Sequence, residues 1–94
     1  MEPHAIKALR ASMRLNQNQL AQLLGVHGLT VSKWERGKTS PSPWVTALLG
    51  DFHIAMVRQP ELEIATPLAQ HGAPAALFRV LEAAHAEHPG LIDE

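Results

Sequence analysis

The residues best suited to chemistry in this sequence lie between positions 28 and 38. Five residues recur there at the spacing of one helical face, namely Gly28, Leu29, Ser32, Lys33 and Arg36, and three of them are polar or basic. Lysine and arginine donate hydrogen bonds to anionic or carbonyl oxygens, and a serine hydroxyl both donates and accepts. A helix that turns such a face away from the protein core has the dimensions to enter the major groove of duplex DNA. These residues therefore predict a helix that contacts double-stranded DNA.

Other kinds of chemistry have no matching pattern in the 94 residues. Cysteine is absent, which excludes disulfides and thiolate metal sites. A glycine-rich phosphate loop, a nucleophile elbow and a His-Glu-x-x-His motif are all missing. His85 and His88 have a spacing that would let a metal bridge them, but two exposed histidines on a final helix are the favoured interpretation. We therefore expect no enzyme activity, no metal and no cofactor.

The charge of the chain is divided unevenly along its length. The net charge is −1. Residues 1–44 carry six Lys and Arg against two Glu, a balance of +4, and residues 45–94 carry two Arg against seven Asp and Glu, a balance of −5. Such a field steers a polyanion toward the first half and keeps it off the second. The chain has no uncharged apolar run long enough to span a bilayer and no signal-peptide pattern, so we expect a cytoplasmic protein without a membrane partner.

Prolines, glycines and helix-capping residues divide the chain into the elements that must position the DNA-contacting face. Apolar residues at helical spacing predict helices over residues 3–14, 17–24, 28–36, 43–59 and 74–88, with a short helical turn after Thr66 and Pro67. Asn16 is expected to cap the second helix, with Gln19 completing a capping box. The alternation of Leu62 and Ile64 leaves a short strand open for residues 61–66.

The second and third predicted helices are expected to meet at a steep angle across a tight turn. Ala21 is small enough for a close helix crossing, and Gly25 tolerates the positive φ that such a turn needs. Val26, Val31 and Trp34 are then expected to hold the third helix against the first two. The arrangement leaves the polar and basic face of the third helix free.

Residues 5–44 resemble the Cro/cI-like (Xre-type) helix-turn-helix family. The matching residues are Leu9-Arg10, Asn16-Gln17, Leu20-Ala21, Gly25-Val26, Val31, Trp34-Glu35-Arg36-Gly37-Lys38 and Pro41. The resemblance implies an all-α fold, a lambda-repressor-like helix-turn-helix bundle with one or more additional C-terminal helices. It also implies a transcription regulator that binds a specific sequence of double-stranded DNA through a recognition helix over about residues 28–36.

The same resemblance implies a role for each matching residue. The positions that lie toward base edges in the family correspond to Gly28, Leu29, Ser32 and Lys33. The positions that lie near phosphates correspond to Asn16, Gln17, His27, Thr30, Arg36 and Lys38. Arg10 and Glu35 match an ion pair that ties the first helix to the end of the third. Gly28 and Leu29 depart from the polar base readers usual in the family, so polar readout falls on Ser32 and Lys33.

The rest of the chain suggests a second helical layer. We expect a helix-turn-helix core over residues 1–59 and a C-terminal helical extension over residues 60–94, packed on the same domain and used for dimerisation or partner contact. The fourth helix has more apolar residues than a four-helix core needs. Three of them are expected to pack toward the third helix, namely Trp44, Phe52 and Met56. Three others are expected to lie toward another side, namely Val45, Leu49 and Val57.

Several functional interpretations remain open at this point. The favoured one is a homodimeric regulator, with repression favoured over activation, whose two recognition helices lie about 34 Å apart on a palindromic operator. A second is an antitoxin that regulates its own operon and binds a toxin through the acidic C-terminal half. A third is a protein-interaction module that uses the fold without DNA, but the set of Gln17, Lys33, Arg36 and Lys38 argues against it.

Overall fold

The computed structural model describes residues 1–86 and contains six α-helices in that range. They are α1 (Pro3–Ser12), α2 (Gln17–Leu24), α3 (Gly28–Glu35), α4 (Pro43–Arg58), α5 (Ala65–His71) and α6 (Ala73–His85). No strand occurs within residues 1–86, so the expected all-α fold is confirmed. The predicted end of the last helix and His88 lie outside the described residues.

The junction between α2 and α3 forms as the sequence predicts. The Asn16 side chain accepts a hydrogen bond from the Gln19 backbone N–H at 2.7 Å, and the Gln19 side chain accepts one from the Asn16 N–H at 2.8 Å. This is the predicted capping box, and it fixes where α2 begins. At the other end Gly25 has a φ of +75°, and the Val26 N–H reaches back to the Ala21 carbonyl at 2.9 Å. The chain therefore turns sharply into α3.

Helix α1 ends at Ser12, two residues earlier than predicted. The chain leaves it through Arg14, which has a φ of +59°, and the Leu15 N–H donates to the Arg10 carbonyl at 3.2 Å. A left-handed conformation costs a residue other than glycine about 1 kcal/mol or more. The Arg14 guanidinium offsets this cost because it donates hydrogen bonds to the carbonyls of Leu62 at 2.6 Å and Pro60 at 3.2 Å. Arg14 thereby ties the end of α1 to the segment that precedes α5.

The first three helices share one apolar core. Its members from these helices and the turn after α1 are Ile6, Leu9, Met13, Leu15, Leu20, Ala21, Leu23, Val31 and Trp34. In α1 the buried residues are Ile6 and Leu9, three positions apart on one face of the helix. In α2 the fully buried leucines are Leu20 and Leu23, and Leu24 is partly buried. The core holds α3 by one side only.

Helix α4 is rotated relative to the prediction. Its buried residues are Val45, Leu49, Phe52, Ala55 and Met56, and four of them have the helical spacing i, i+4, i+7, i+11 from Val45 to Met56. The expectation that Trp44 packs inward is wrong, because its side chain is 72% exposed. Neighbouring helix positions differ by about 100° in direction, so a helix that buries Val45 turns Trp44 toward solvent. Val57 is exposed as well, whereas Val45 and Leu49 are buried in the core.

The C-terminal helices pack on α2 and α4. Helix α6 contacts α4, α5 and α2, and its buried residues are Ala76, Val80, Ala83 and Ala84. The segment before α5 is irregular rather than a strand. Its alternating Leu62 and Ile64 both enter the core, which accounts for the pattern in the sequence. The Arg79 side chain donates to the Glu63 carbonyl at 2.9 Å and fastens α6 to this segment.

Candidate nucleic-acid interface

Helix α3 has one anchored side and one free side. Val31 and Trp34 are buried against α1 and α2. On the opposite side Leu29 is 61% exposed, and Lys33 and Arg36 are also exposed. We call the outward set of Gly28, Leu29, Ser32, Lys33 and Arg36 the reading face. The five residues lie together on one face because they repeat at the helical period.

Gly28 is the first residue of α3 and lies beside Asn18 of α2. A Cβ atom at this position would collide with the side-chain oxygen of Asn18. The close approach that glycine permits here is therefore one between α3 and α2 within the protein. A larger residue would require the exposed Asn18 side chain to turn away.

Ser32 and Arg36 are joined by a hydrogen bond. The Arg36 Nε donates to the Ser32 hydroxyl oxygen at 3.2 Å, across one turn of the helix. The contact holds the Arg36 guanidinium along the reading face instead of leaving it free in solvent. A residue expected near phosphates thus shares a contact with a residue expected near base edges.

The residues expected near phosphates belong to α2, α3 and their ends, and one of them, Arg36, is also part of the reading face. Asn16, His27, Arg36 and Lys38 are exposed, whereas Gln17 and Thr30 are half-buried. Lys38 is positioned by the end of α3, where Gly37 has a φ of +74° and the Lys38 N–H donates to the Lys33 carbonyl at 2.9 Å. The structure therefore brings these side chains to the ends of α2 and α3, around the reading face.

A network of three side chains behind the reading face connects α1, the start of α2 and the end of α3. Arg10 of α1 makes a bidentate ion pair with Glu35 at the end of α3, with Nε to Oε2 at 2.7 Å and the second nitrogen to Oε1 at 3.0 Å. The amide of Gln17, at the start of α2, donates to the same Glu35 Oε1 at 3.0 Å. The Glu35 side chain is only 3% exposed. The ion pair expected to tie α1 to α3 therefore also holds a residue of α2.

The environment of this network shifts the ionisation of both charged groups. Burial alone would raise the pKa of Glu35, but hydrogen bonds from Arg10 and Gln17 and the charges of Arg10 and Lys7 outweigh it, so the pKa is lowered. The hydrogen bond with Glu35 raises the pKa of Arg10 in spite of partial burial. Both groups are charged at neutral pH, and the pair keeps its full strength there.

The lowered pKa of Glu35 predicts an acid-dependent loss of stability. A carboxylate with a lower pKa in the folded state stabilises the fold above its unfolded pKa of about 4.3 and loses this contribution as the pH falls through the folded pKa. The difference in unfolding free energy between the wild type and Glu35→Gln should therefore shrink as the pH is lowered from 7 through this region. Urea unfolding at a series of pH values measures it.

Glu63 provides the control for that experiment. Its pKa is also lowered, first by the hydrogen bond from the Thr66 hydroxyl and then by that from the Thr66 backbone, but the group is fully exposed. A Glu63→Gln variant should keep most of the acid-dependent loss seen in the wild type. If Glu35→Gln followed the wild type in parallel at every pH, the assigned role of Glu35 would be wrong.

Three contacts of this site were not predicted from the sequence. The link between Ser32 and Arg36 had a usable signal, because the two residues are four positions apart on one helix. The approach of Gly28 to Asn18 and the hydrogen bond from Gln17 to Glu35 join different helices. Spacing within a single element gives no sign of either.

No group of three His, Asp or Glu side chains within residues 1–86 is arranged to hold a metal ion. The His85 side chain lies beside Asp51 of α4, with Nε2 to Oδ1 at 3.5 Å. No helix in the same range has the length and apolarity that a bilayer crossing requires.

A short helix set on a second one across a tight turn, with one side anchored and the other outward, defines a helix-turn-helix protein. Comparison with protein families agrees, since the family described as helix-turn-helix matches residues 6–43. Comparisons of the chain with curated proteins and with solved structures give no match. Residues 6–43 are a helix-turn-helix of the Cro/cI type, in a lambda-repressor-like all-α bundle. The protein is, in general terms, a DNA-binding transcription regulator.

Proposed function

We propose that the protein is a sequence-specific repressor that binds a palindromic operator as a homodimer, with α3 of each copy in the major groove. The observation that carries the proposal is the geometry of α3. Val31 and Trp34 fix one side of the helix in the core, while the reading face points outward. A rigid helix with an exposed polar and basic face is what base readout in the major groove requires. A bound dimer would cover its operator and so deny it to other proteins.

The chemistry of the reading face suggests how bases are distinguished. The exposed Lys33 ammonium suits the O6 and N7 acceptors of guanine, and the exposed Leu29 side chain suits the methyl group of thymine. The Ser32 hydroxyl already accepts a hydrogen bond from Arg36, so it is best able to donate one to a base. With a single strong polar reader, direct readout is modest and DNA shape adds to specificity.

Phosphate contacts are assigned to the residues around the reading face. Arg36, Lys38 and His27 are exposed near the ends of α3, and Asn16 lies at the start of α2. The Gln17 amide nitrogen has two N–H groups, of which one is bonded to Glu35 and the other remains to donate to a phosphate oxygen. These contacts would set the register of α3 on the duplex without carrying sequence information themselves.

Two alanine variants separate base readout from phosphate contact. Lys33→Ala is expected to cost about 1–3 kcal/mol at the preferred site and to relax preference at one base position. Lys38→Ala is expected to weaken binding to all sequences alike. It should also reduce the slope of log K against the logarithm of salt concentration by about one. Fluorescence anisotropy with specific and random duplexes over a range of salt measures both. Similar losses on both duplexes for both variants would contradict the assignment.

Selection from random duplex DNA at near-physiological salt tests the function as a whole. Recovery of an inverted repeat with half-site centres about 10 base pairs apart supports a dimeric operator-binding regulator. Recovery of no sequence, with weak binding that disappears as salt rises, contradicts sequence-specific regulation. The antitoxin and the protein-interaction module would then be the favoured interpretations. An antitoxin would require a basic protein partner that complements the acidic second half of the chain.

A further inference from the structure

Gly28, the first residue of the reading face, has no side chain, and the place that one would take is filled from α2. A Cβ atom at Gly28 would overlap the side-chain oxygen of Asn18, and the Asn18 Cγ lies 3.1 Å from that Cβ position. On a helix the Cβ atoms point outward from the axis. The Asn18 carboxamide therefore lies on the outward side of α3, at the beginning of the reading face.

The Asn18 carboxamide is available to bind a ligand, unlike the amides on either side of it. The Gln17 amide donates to Glu35, and the Gln19 side chain accepts from the Asn16 N–H. Asn18 is exposed, and its carboxamide makes no hydrogen bond to another group within residues 1–86. A carboxamide has two N–H donors and one carbonyl acceptor. Asn18 can therefore donate and accept at the same time.

A free carboxamide in this place suits the edge of an adenine. The N-terminal residues of a recognition helix contact base edges, and the Asn18 carboxamide lies over the first residue of α3. In the major groove adenine presents the N7 acceptor and the N6 amino donor, and an asparagine side chain matches both at once. A phosphate oxygen would use only the donor half of the group. Asn18 thus offers the polar readout that Gly28 lacks.

We infer that Asn18 reads a base in the major groove, in the place of the side chain missing at Gly28, and that it prefers adenine. The inference rests on the proposed function and deepens it, because it adds to Lys33 a second polar reader that comes from α2. Gly28 leaves the space, and Asn18 occupies it. A change at either residue should therefore affect the same base position.

The test compares Asn18→Ala with Gly28→Ala. The first variant removes the carboxamide, and the second adds the Cβ atom that would turn it away. Gly28 is not among the glycines with positive φ, so alanine fits its backbone. Each variant should lower the preference for adenine at one position of the recovered sequence by about fivefold or more, at the same position for both. The double variant should lose no more than either single variant.

Selection from random duplex DNA finds the position, and fluorescence anisotropy with duplexes changed at that position measures the preference. Gln70→Ala is the control, since it removes an exposed amide from α5, which is not part of the reading face. It should leave the preference at every position as in the wild type. Circular dichroism checks that all variants fold.

Three results would overturn the inference. The first is an Asn18→Ala variant that keeps every base preference of the wild type. The second is an Asn18→Ala variant that weakens binding to specific and random duplexes alike, since the contact would then be to the DNA backbone. The third is a Gly28→Ala variant that keeps the adenine preference that Asn18→Ala loses, since Asn18 would then act from another place.

The Lys33→Ala variant separates this inference from the proposed function. If Lys33→Ala and Asn18→Ala relax two different positions of a selected sequence, both are supported. If Lys33→Ala relaxes one position and Asn18→Ala relaxes none, the proposed function stands and the role of Asn18 fails. If the wild type selects no sequence at all, the proposed function fails, and the inference fails with it.

Discussion

Replacement of Arg10 by alanine is expected to lower the free energy of unfolding by about 3 kcal/mol or more. The Glu35 carboxylate is nearly inaccessible to water, and Arg10 gives it two of its three side-chain hydrogen bonds. Without Arg10, Glu35 would remain buried with only Gln17 as a partner. A domain of this size has a total stability of roughly 5–14 kcal/mol, so the loss is a large part of it. Urea unfolding followed by circular dichroism measures the difference.

Two further variants show whether the loss comes from the unpaired carboxylate. Arg36→Ala removes an exposed arginine whose side-chain contact is with Ser32, and it should change stability by about 0.5 kcal/mol or less. Changing Arg10 and Glu35 together to methionine should recover much of the loss, because apolar side chains often replace a buried ion pair without cost. If the double variant were as unstable as Arg10→Ala, packing rather than charge would be responsible.

The parts of the fold that the sequence predicts well depend on short-range rules. The capping box at Asn16 needs only Gln19 three residues later, and the turn at Gly25 needs only a residue that tolerates positive φ. The apolar stripe of α1 likewise follows from helical spacing within one element. Such features are settled within a few residues of chain, which is why their positions agree with the structure.

The predictions that the structure corrects, at α4 and at the end of α1, depend on how the helices pack against one another. Helix α4 has apolar residues on most of its circumference, so its sequence does not show which of them face the core. Packing against α1 and α6 selects the stripe that includes Val45 and turns Trp44 outward. The early end of α1 depends in a similar way on Arg14 reaching the carbonyl of Leu62, which lies 48 residues away in the chain.

In the candidate site, too, features within one helix are predictable from the sequence, whereas contacts between helices are not. The helical period places Lys33 and Arg36 on one outward face, and the sequence suffices for that prediction. The hydrogen bond from Gln17 to Glu35 joins residues 18 positions apart and depends on the angle between α2 and α3. The sequence therefore predicts which residues face outward, whereas the contacts that hold them in place need the structure.

The anchoring of the reading face makes Trp34 the residue whose loss should affect both folding and DNA binding. Trp34 is 4% exposed and lies in the last turn of α3. Trp34→Ala is expected to cost about 3–5 kcal/mol of unfolding free energy, because it leaves a large cavity in a small core. Helix α3 has only eight residues, and so short a helix is not stable without tertiary contacts. Selective DNA binding should fall with the folded fraction as temperature rises, which thermal unfolding and anisotropy together measure.

Trp44→Ala is the matched control, since it makes the same chemical change at the other tryptophan of the chain. Trp44 is mostly exposed, so its replacement should change stability by about 0.5 kcal/mol or less. Each variant also retains one tryptophan, and the emission of buried Trp34 should lie to the blue of that of exposed Trp44. Equal destabilisation by the two substitutions would contradict the placement of α4 as well as the anchoring of α3. A large loss for Trp34→Ala alone would show that the outward reading face depends on what its inner side contacts.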